Sequence, residues 1–410
     1  MQEHNISANN FEQCLKCTVC NSVCPMMAAN PSYPGPKQAG PDGERYRIKD
    51  PRFFDLTLKY CLNCKRCEVA CPSGVKVGDI IQIARLKYAR QDHPLRDVAL
   101  ASTDRVGGLA TRVAGAVNPL LASRPVKSML HFAGIDRRHT FPEYASRTFV
   151  DSYEDIRQEQ ESFRRYVNFY HGCYVNYNYP QLGYDLVRVL NACGYGVRLL
   201  EGEKCCGVAF ISNGFGRRAK RQAAANIKAL DSSEGPVLTV SSTCTFTIRD
   251  EYSQVLGLDM HGNSDRVEMA VKWLYSAVDQ GALRLAFRED FHARMAYHTA
   301  CHMSKLGWSV YSTGLLRMIP GLELDVLDQE CCGMAGTFGF KKENYDISQK
   351  IGGKLFDSIA AASPEAVVTD CETCKWQIEH GTGLPVMNTI SVLARAIDFE
   401  KTKELNNVEF

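Results

Sequence analysis

The chain has 410 residues, 45% of them apolar, and a net charge of +2, enough material for two or three cores of ordinary domain size. The near-neutral balance argues against a nucleic-acid partner held by phosphate neutralisation. Eighteen cysteines in so long a chain, behind a polar stretch from Met1 to Gln13 with no apolar leader core, do not describe a secreted disulfide scaffold.

No run reaches the roughly 20 apolar residues of a bilayer span. The expectation is a cytoplasmic chain without signal peptide or transmembrane helix, whose membrane contact is peripheral.

In chain order, the first signal is a repeated cysteine run. Cys14, Cys17, Cys20 and Cys24 precede Pro25, and Cys61, Cys64, Cys67 and Cys71 precede Pro72. The spacing C-x2-C-x2-C-x3-C-P is that of paired [4Fe-4S] clusters, in which the fourth cysteine of each run ligates the neighbouring cluster. The expected pairing is crossed: Cys14, Cys17, Cys20 and Cys71 on one cluster, Cys61, Cys64, Cys67 and Cys24 on the other. Structural zinc sites use two C-x2-C pairs and give no reason for the third cysteine, the x3 step or the prolines. Between the runs, Asn30 to Pro36 reads as an ordered turn-rich loop. Helices are expected over Pro51 to Tyr60 and over Asp79 to Tyr88, the latter with Asp79 as N-cap. This α-helical two-cluster unit spans 1–95.

Residues 96–165 read as a helical linker. Within it Val106 to Ile135 carries Arg112, Arg124, Lys127 and His131 but no Asp or Glu. Val106, Leu109, Val113, Val117, Leu120 and Leu121 fall on one helical face, with a break or kink expected at Pro119. Such a face packs on the protein's own core or docks on anionic lipid or a partner.

From Tyr166 the pattern becomes strand and helix, twice over, in units of 166–285 and 286–400. Val167 to Cys173 corresponds to Met295 to Cys301, each a strand-like run delivering a cysteine. Cys205-Cys206-Gly207 corresponds to Cys331-Cys332-Gly333. Strand-like Val237 to Val240 leads to Cys244, and Ala366 to Thr369 leads to Cys371 and Cys374. Cysteines at strand ends of an α/β unit meet at one pole. The second copy offers five thiols, Cys301, Cys331, Cys332, Cys371 and Cys374, more than a cubane cluster needs, which suggests a noncubane cluster. The first offers Cys173, Cys205, Cys206 and Cys244 as further candidate ligands, with Ser241 where Cys371 stands in the second. An ordinary cluster, zinc and an empty remnant all remain open for this first set. The glycines allow positive φ or close backbone approach. His171, His298 and His302 are candidates to tune a cluster or to be satisfied core histidines. Cys193 reads as core packing. Gly214-Phe215-Gly216-Arg217-Arg218-Ala219 matches the dinucleotide fingerprint only loosely and does not follow a strand.

With these residues in place, the chain resembles the family of iron–sulfur subunits of anaerobic glycerol-3-phosphate dehydrogenases from about Phe11 to Leu393. The likeness includes Tyr33 to Arg45, His171-Gly172-Cys173, Ser241 to Phe246 and Thr369 to Glu379. The architecture also looks like that of glycolate and lactate oxidase iron–sulfur subunits and of heterodisulfide reductase components. Five-thiol sites in the latter resemble the second copy and hold noncubane clusters. The resemblance implies an electron-transfer role, not itself catalytic, at the cytoplasmic face of the inner membrane. The chain would take electrons from flavin-bearing glycerol-3-phosphate dehydrogenase subunits and pass them to menaquinone, with a membrane-anchoring role. Competing readings are a member of a glycolate or lactate oxidase complex, a heterodisulfide reductase-like enzyme using the second site, and a zinc-stapled scaffold.

Overall fold

The computed structural model describes residues 10–50, 55–88 and 92–408. Its first 165 residues contain no strand among those described. In each cysteine run the third cysteine lies on a one-turn helix, Val19–Ser22 or Arg66–Val69. The residues flanking the second cysteine take left-handed φ in both copies: Lys16 and Thr18 at 58° and 67°, Asn63 and Lys65 at 56° and 59°. That conformation is costly for non-glycine residues, so its repetition marks two loops wound around something.

Helix α1, Val77–Tyr88, closes this unit. Asp79 is not its N-cap. It lies inside the first turn, its amide donates to Glu68 Oε1 at 2.9 Å, and its carboxylate takes the Lys65 ammonium at 2.6 Å. An anion was needed to neutralise a buried lysine, and Glu68 does the capping. Of the helix expected from Pro51, residues 51–54 lie outside those described; the rest is a 3-10 turn, Leu56–Tyr60, capped by Asp55.

Four short helices follow: α2 Pro94–Ala101, α3 Thr103–Arg112, α4 Ala114–Ala122 and α5 Arg124–Phe132. The single face expected along Val106 to Ile135 is therefore cut. The breaks fall at Val113 and Ser123, the latter just ahead of Pro125 in the first turn of α5, while Pro119 sits inside α4 without ending it. The face turns outward in part: Leu109 is 66% exposed and Phe132 91%. The layer is sewn to the second repeat by Arg96, whose guanidinium forks onto Glu343 at 2.8 Å, and by an Ile135–Lys341 bridge.

Each repeat is a four-stranded parallel sheet. The first has β1 Tyr166–Phe169, β2 Gly196–Leu199, β3 Val237–Thr239 and β4 Val267–Met269 in the order β2-β1-β3-β4. The second has β5 Ala293–Tyr297, β6 Leu322–Val326, β7 Ala366–Val368 and β8 Val386–Met387 in the order β6-β5-β7-β8. Strands β3 and β7 are buried along their whole length, as parallel strands covered on both faces must be. The order reverses between β1 and β3 and between β5 and β7. Such switch points open a crevice at the carboxyl ends of the strands. One apolar core runs through both sheets, and Cys193 lies in it, fully buried, its thiol pushed up to about 12.

A candidate iron–sulfur relay

In the N-terminal unit the thiols fall into two groups. The charges that act on Cys20 are those of Cys14, Cys17 and Cys71, and with burial they push it up to about 11. Cys24 instead feels Cys64 and Cys61, and with burial rises to about 12. Cys67 feels Cys64, Cys61 and Cys24. Each run thus sends its fourth cysteine to the other's group. Thiols held this high are poor anions until a cation joins them, and soft thiolates in fours suit iron–sulfur clusters. Gln82 Nε2 and the amide of Val75 donate to Cys61 and Cys71 sulfur at 3.4 and 3.3 Å. Cys17 is exposed, whereas Cys24, Cys61 and Cys64 are half-buried and Cys67 is buried. Tyr33, from the turn-rich loop, is buried beside Cys61, Cys24 and Cys67.

The strand ends deliver the remaining thiols. Cys173 follows β1 on helix α6, Gly172–Tyr177; Cys205 and Cys206 follow β2; Cys244 follows β3 on α7, Ser242–Phe246. In the second repeat Cys301 opens α8, Cys301–Leu306; Cys331 and Cys332 follow β6; Cys371 and Cys374 sit at the start of α9, Glu372–Thr382. The glycines Gly207 and Gly333 have φ of 83° and 86°. At Gly333 an added Cβ would run into the Ser348 carbonyl.

Both sets face one apolar cavity of about 380 Å³ between the repeats, walled on its far side by α2 to α5 through Leu100, Val106, Leu121 and Leu130. Cys64 of the N-terminal unit also lines it. Cys332 lies 3.4 Å from Cys374, and Cys301 donates to Cys64, drawing that thiol down. Among the described residues no three ligand side chains converge tightly enough for a lone ion. The thiols instead ring the cavity wall.

The polar surroundings divide the three histidines. His171 is satisfied by the Gly172 carbonyl at 3.0 Å and Glu203 at 3.1 Å. His302 bonds the Asn63 carbonyl at 2.9 Å and stacks on Phe246. His298 is fully buried with neither ring nitrogen hydrogen-bonded, and burial with Arg66 nearby draws it down to about 4. Arg66 itself lies among Cys64, Cys301 and Cys331 and donates to the Gln329 carbonyl. From the helical layer Asp104 accepts the Cys205 amide at 2.9 Å, and burial beside Cys205 raises it to about 6. Glu372 accepts the Ser241 hydroxyl at 2.8 Å. Tyr33, Arg66, Asp104 and Glu372 were not reached from the sequence: Tyr33 comes from a loop, and Arg66, Asp104 and Glu372 each also reach a thiol or Ser241 of another unit. The loosely matching Gly214 segment follows a short helix, Val208–Ser212, and not a strand, so no dinucleotide turn forms there.

The 4Fe-4S dicluster domain family matches residues 10–75, and the cysteine-rich domain family matches twice, at 167–249 and 295–379. The chain is 51% identical over 393 residues to the C subunit of anaerobic glycerol-3-phosphate dehydrogenase of Escherichia coli (strain K12), covering 95% of this chain and 99% of that one. It is 26% identical to the B subunit of the CoM/CoB fumarate reductase of Methanothermobacter marburgensis over 93% of this chain and 72% of that one. Lactate utilization protein A 1 of Bacillus anthracis shares 26% identity over 57% of this chain and 99% of its own. Paired cysteine runs, two Cys-Cys-Gly repeats and full-length similarity agree: the chain belongs to the family of iron–sulfur electron-transfer subunits of anaerobic glycerol-3-phosphate dehydrogenases.

Proposed function

We propose that the chain is a non-catalytic relay that takes electrons from flavin-bearing, glycerol-3-phosphate-oxidising subunits and delivers them toward menaquinone at a membrane surface. The supporting observation is the continuity of sulfur. Cys17 opens the Cys14, Cys17, Cys20 and Cys71 set to the surface, the Cys61, Cys64, Cys67 and Cys24 set lies behind it, and Cys64 meets Cys301 of the second repeat. Cys371 then lies 3.5 Å from Thr243 Oγ1 of the first repeat. Bound there, two [4Fe-4S] clusters and a further, noncubane group on Cys301, Cys331, Cys332, Cys371 and Cys374 would supply one-electron exchange. The protein's own contribution is to space the sets, exclude water with Leu100, Val106, Leu121 and Leu130, and set their charge with Arg66 and Asp104.

The same helical layer supports peripheral docking. Leu109, Val113, Leu120, Met129 and Phe132 are exposed, with Arg112 and Arg124 among them and no acid from Val106 to Ile135. Apolar anchors with basic neighbours suit an anionic bilayer. Among the described residues no helix is long and apolar enough to cross one.

The test is anaerobic purification with the natural partner subunits and paramagnetic resonance during titration. Reduction by glycerol 3-phosphate, and reoxidation by a menaquinone analogue, is the expected result. Reduction by lactate or glycolate alone would assign a different dehydrogenase partner. In parallel, Leu109→Glu with Phe132→Glu should abolish co-sedimentation with anionic vesicles while leaving the cluster absorbance unchanged; undiminished binding would remove the docking role.

A further inference from the structure

The first repeat has four thiols where the second has five, and Ser241 stands where the missing one is expected. In sequence register, Ser241-Ser242-Thr243-Cys244 lies on Cys371-Glu372-Thr373-Cys374, so Ser241 and Cys371 hold the same place at the start of α7 and α9. Ser241 uses its hydroxyl oxygen as an N-cap, accepting the Cys244 amide at 3.2 Å.

The two helix starts face one another. Ser242 donates through its amide and its hydroxyl to the Asp370 carbonyl, both at 2.9 Å, and Thr243 touches Cys371. This arrangement carries the Glu372 side chain across the repeat boundary to Ser241, 2.8 Å from its hydroxyl. The carboxylate lines the cavity shared by both thiol sets. Its electrostatic surroundings are Cys371 on one side and Cys205 on the other, and Cys244 feels its charge in turn. A half-buried carboxylate facing thiolates is costly unless a cation joins it.

We propose that Glu372 supplies the ligand that Ser241 withholds, so that Cys173, Cys205, Cys206, Cys244 and this carboxylate of the other repeat hold one iron–sulfur group. The chemistry separates the two oxygens on offer. A carboxylate is an anion in its ordinary range and an established iron ligand, whereas a serine hydroxyl must first lose a proton of very low acidity. Iron in the cavity would also set a cation beside this half-buried carboxylate. The assignment goes beyond the relay described above, which places no group on the first thiol set, and rests on its reading of the chain as an iron–sulfur carrier. It has a structural corollary. Cys371 and Glu372 are consecutive, with Cα atoms about 3.8 Å apart, so the groups of the two repeats would be tied through a single peptide bond.

The test compares full-length chains purified anaerobically: the unaltered protein, Glu372→Gln, Ser241→Cys, the two combined, and Cys205→Ser. Readouts are iron and sulfide per chain, Mössbauer spectra and paramagnetic resonance. Glu372→Gln should lose the iron that Cys205→Ser loses while keeping the signals of the eight N-terminal cysteines, and adding Ser241→Cys should restore it. Iron and spectra unchanged in Glu372→Gln would reduce Glu372 to a hydrogen-bond partner of Ser241 and overturn the proposal. If Glu372→Gln loses the N-terminal signals too, Ser241→Cys alone decides: a new thiolate must alter the first-repeat spectrum, and an unaltered one refutes the assignment. Iron unchanged in Cys205→Ser would show that the first set binds none, which overturns the proposal while leaving the relay through the N-terminal and second-repeat thiols standing.

Discussion

Replacing Lys65 by methionine probes the junction on which the relay depends. The Lys65 ammonium is fully buried, 2.6 Å from Asp79, 3.3 Å from Glu251 of the first repeat and 3.9 Å from Glu68. Glu68 has a second cation, Lys305 of the second repeat, at 2.8 Å. Glu251 keeps the Asn63 amide at 2.7 Å and the Thr247 hydroxyl at 3.1 Å, but neither carries charge. Lys65→Met therefore strands Asp79 and Glu251 without their cation in a dry junction. Removing one partner of a buried ion pair costs about 3–5 kcal/mol, and with two carboxylates stranded the upper end is expected. Glu251→Gln should cost less, because Asp79 and Glu68 still surround the lysine. The double variant should cost less than the sum by about 1 kcal/mol or more, as groups in one network do. Urea unfolding of the anaerobic, cluster-loaded chain measures all three. A loss below about 1 kcal/mol for Lys65→Met, or additivity within about 0.5 kcal/mol, would refute the claim that Lys65 and Glu251 act in one charge network across the boundary between the N-terminal unit and the first repeat.

The helical layer gives a pH-dependent prediction. His139 is fully buried against Phe340 at 4.7 Å and His380 at 4.4 Å, with neither nitrogen hydrogen-bonded. Burial and His380 draw it from 6.5 down to about 4. The unfolded chain thus takes the proton first as pH falls; stability is complete above about 6.5 and is lost progressively toward 4, by about 3 kcal/mol. His139→Phe should remove that part of the acid loss in denaturation curves measured from pH 7 to pH 4.5, and a slope equal to that of the unaltered chain would contradict it. The two Cys-Cys-Gly glycines should differ under substitution by alanine. Gly207→Ala strains a left-handed backbone, at about 1–2 kcal/mol, while Gly333→Ala adds to the same strain a Cβ driven into the Ser348 carbonyl, a further 1–3 kcal/mol or so. Equal thermal midpoints for the two variants would show that the backbone at Gly333 relaxes freely.

How far the sequence carried depends on how local each signal is. Ligand spacing is local: three cysteines at steps of three wrap one group because the intervening residues leave them no other course, and the repeat doubled the signal. Strands ending in cysteine were also legible, since β1, β3, β5 and β7 announce themselves by short apolar runs. The segment after Val106 misled because helical periodicity carries no mark for where a helix stops. Pro119 looked like the breaker, yet the chain turned at Val113 and ahead of Pro125, where the next helix needed a start. Asp79 fitted an N-cap by type, but only tertiary structure reveals the buried Lys65 that claims it. Asp104 and Glu372 lie beyond local reading altogether: one reaches Cys205 from more than a hundred residues upstream, the other reaches Ser241 from the opposite repeat.

The shared cavity bears on how such a chain is made. Its wall draws thiols from Cys64 to Cys374, 310 residues apart. At about 5–20 residues per second of synthesis, some 15 to 60 s separate the appearance of the first of these sulfurs from that of the last. Through that interval the earlier thiols have no chamber to shelter them, and oxidation would pair them with one another before their proper neighbours exist. Oxygen during translation is then a hazard distinct from oxygen around the finished molecule.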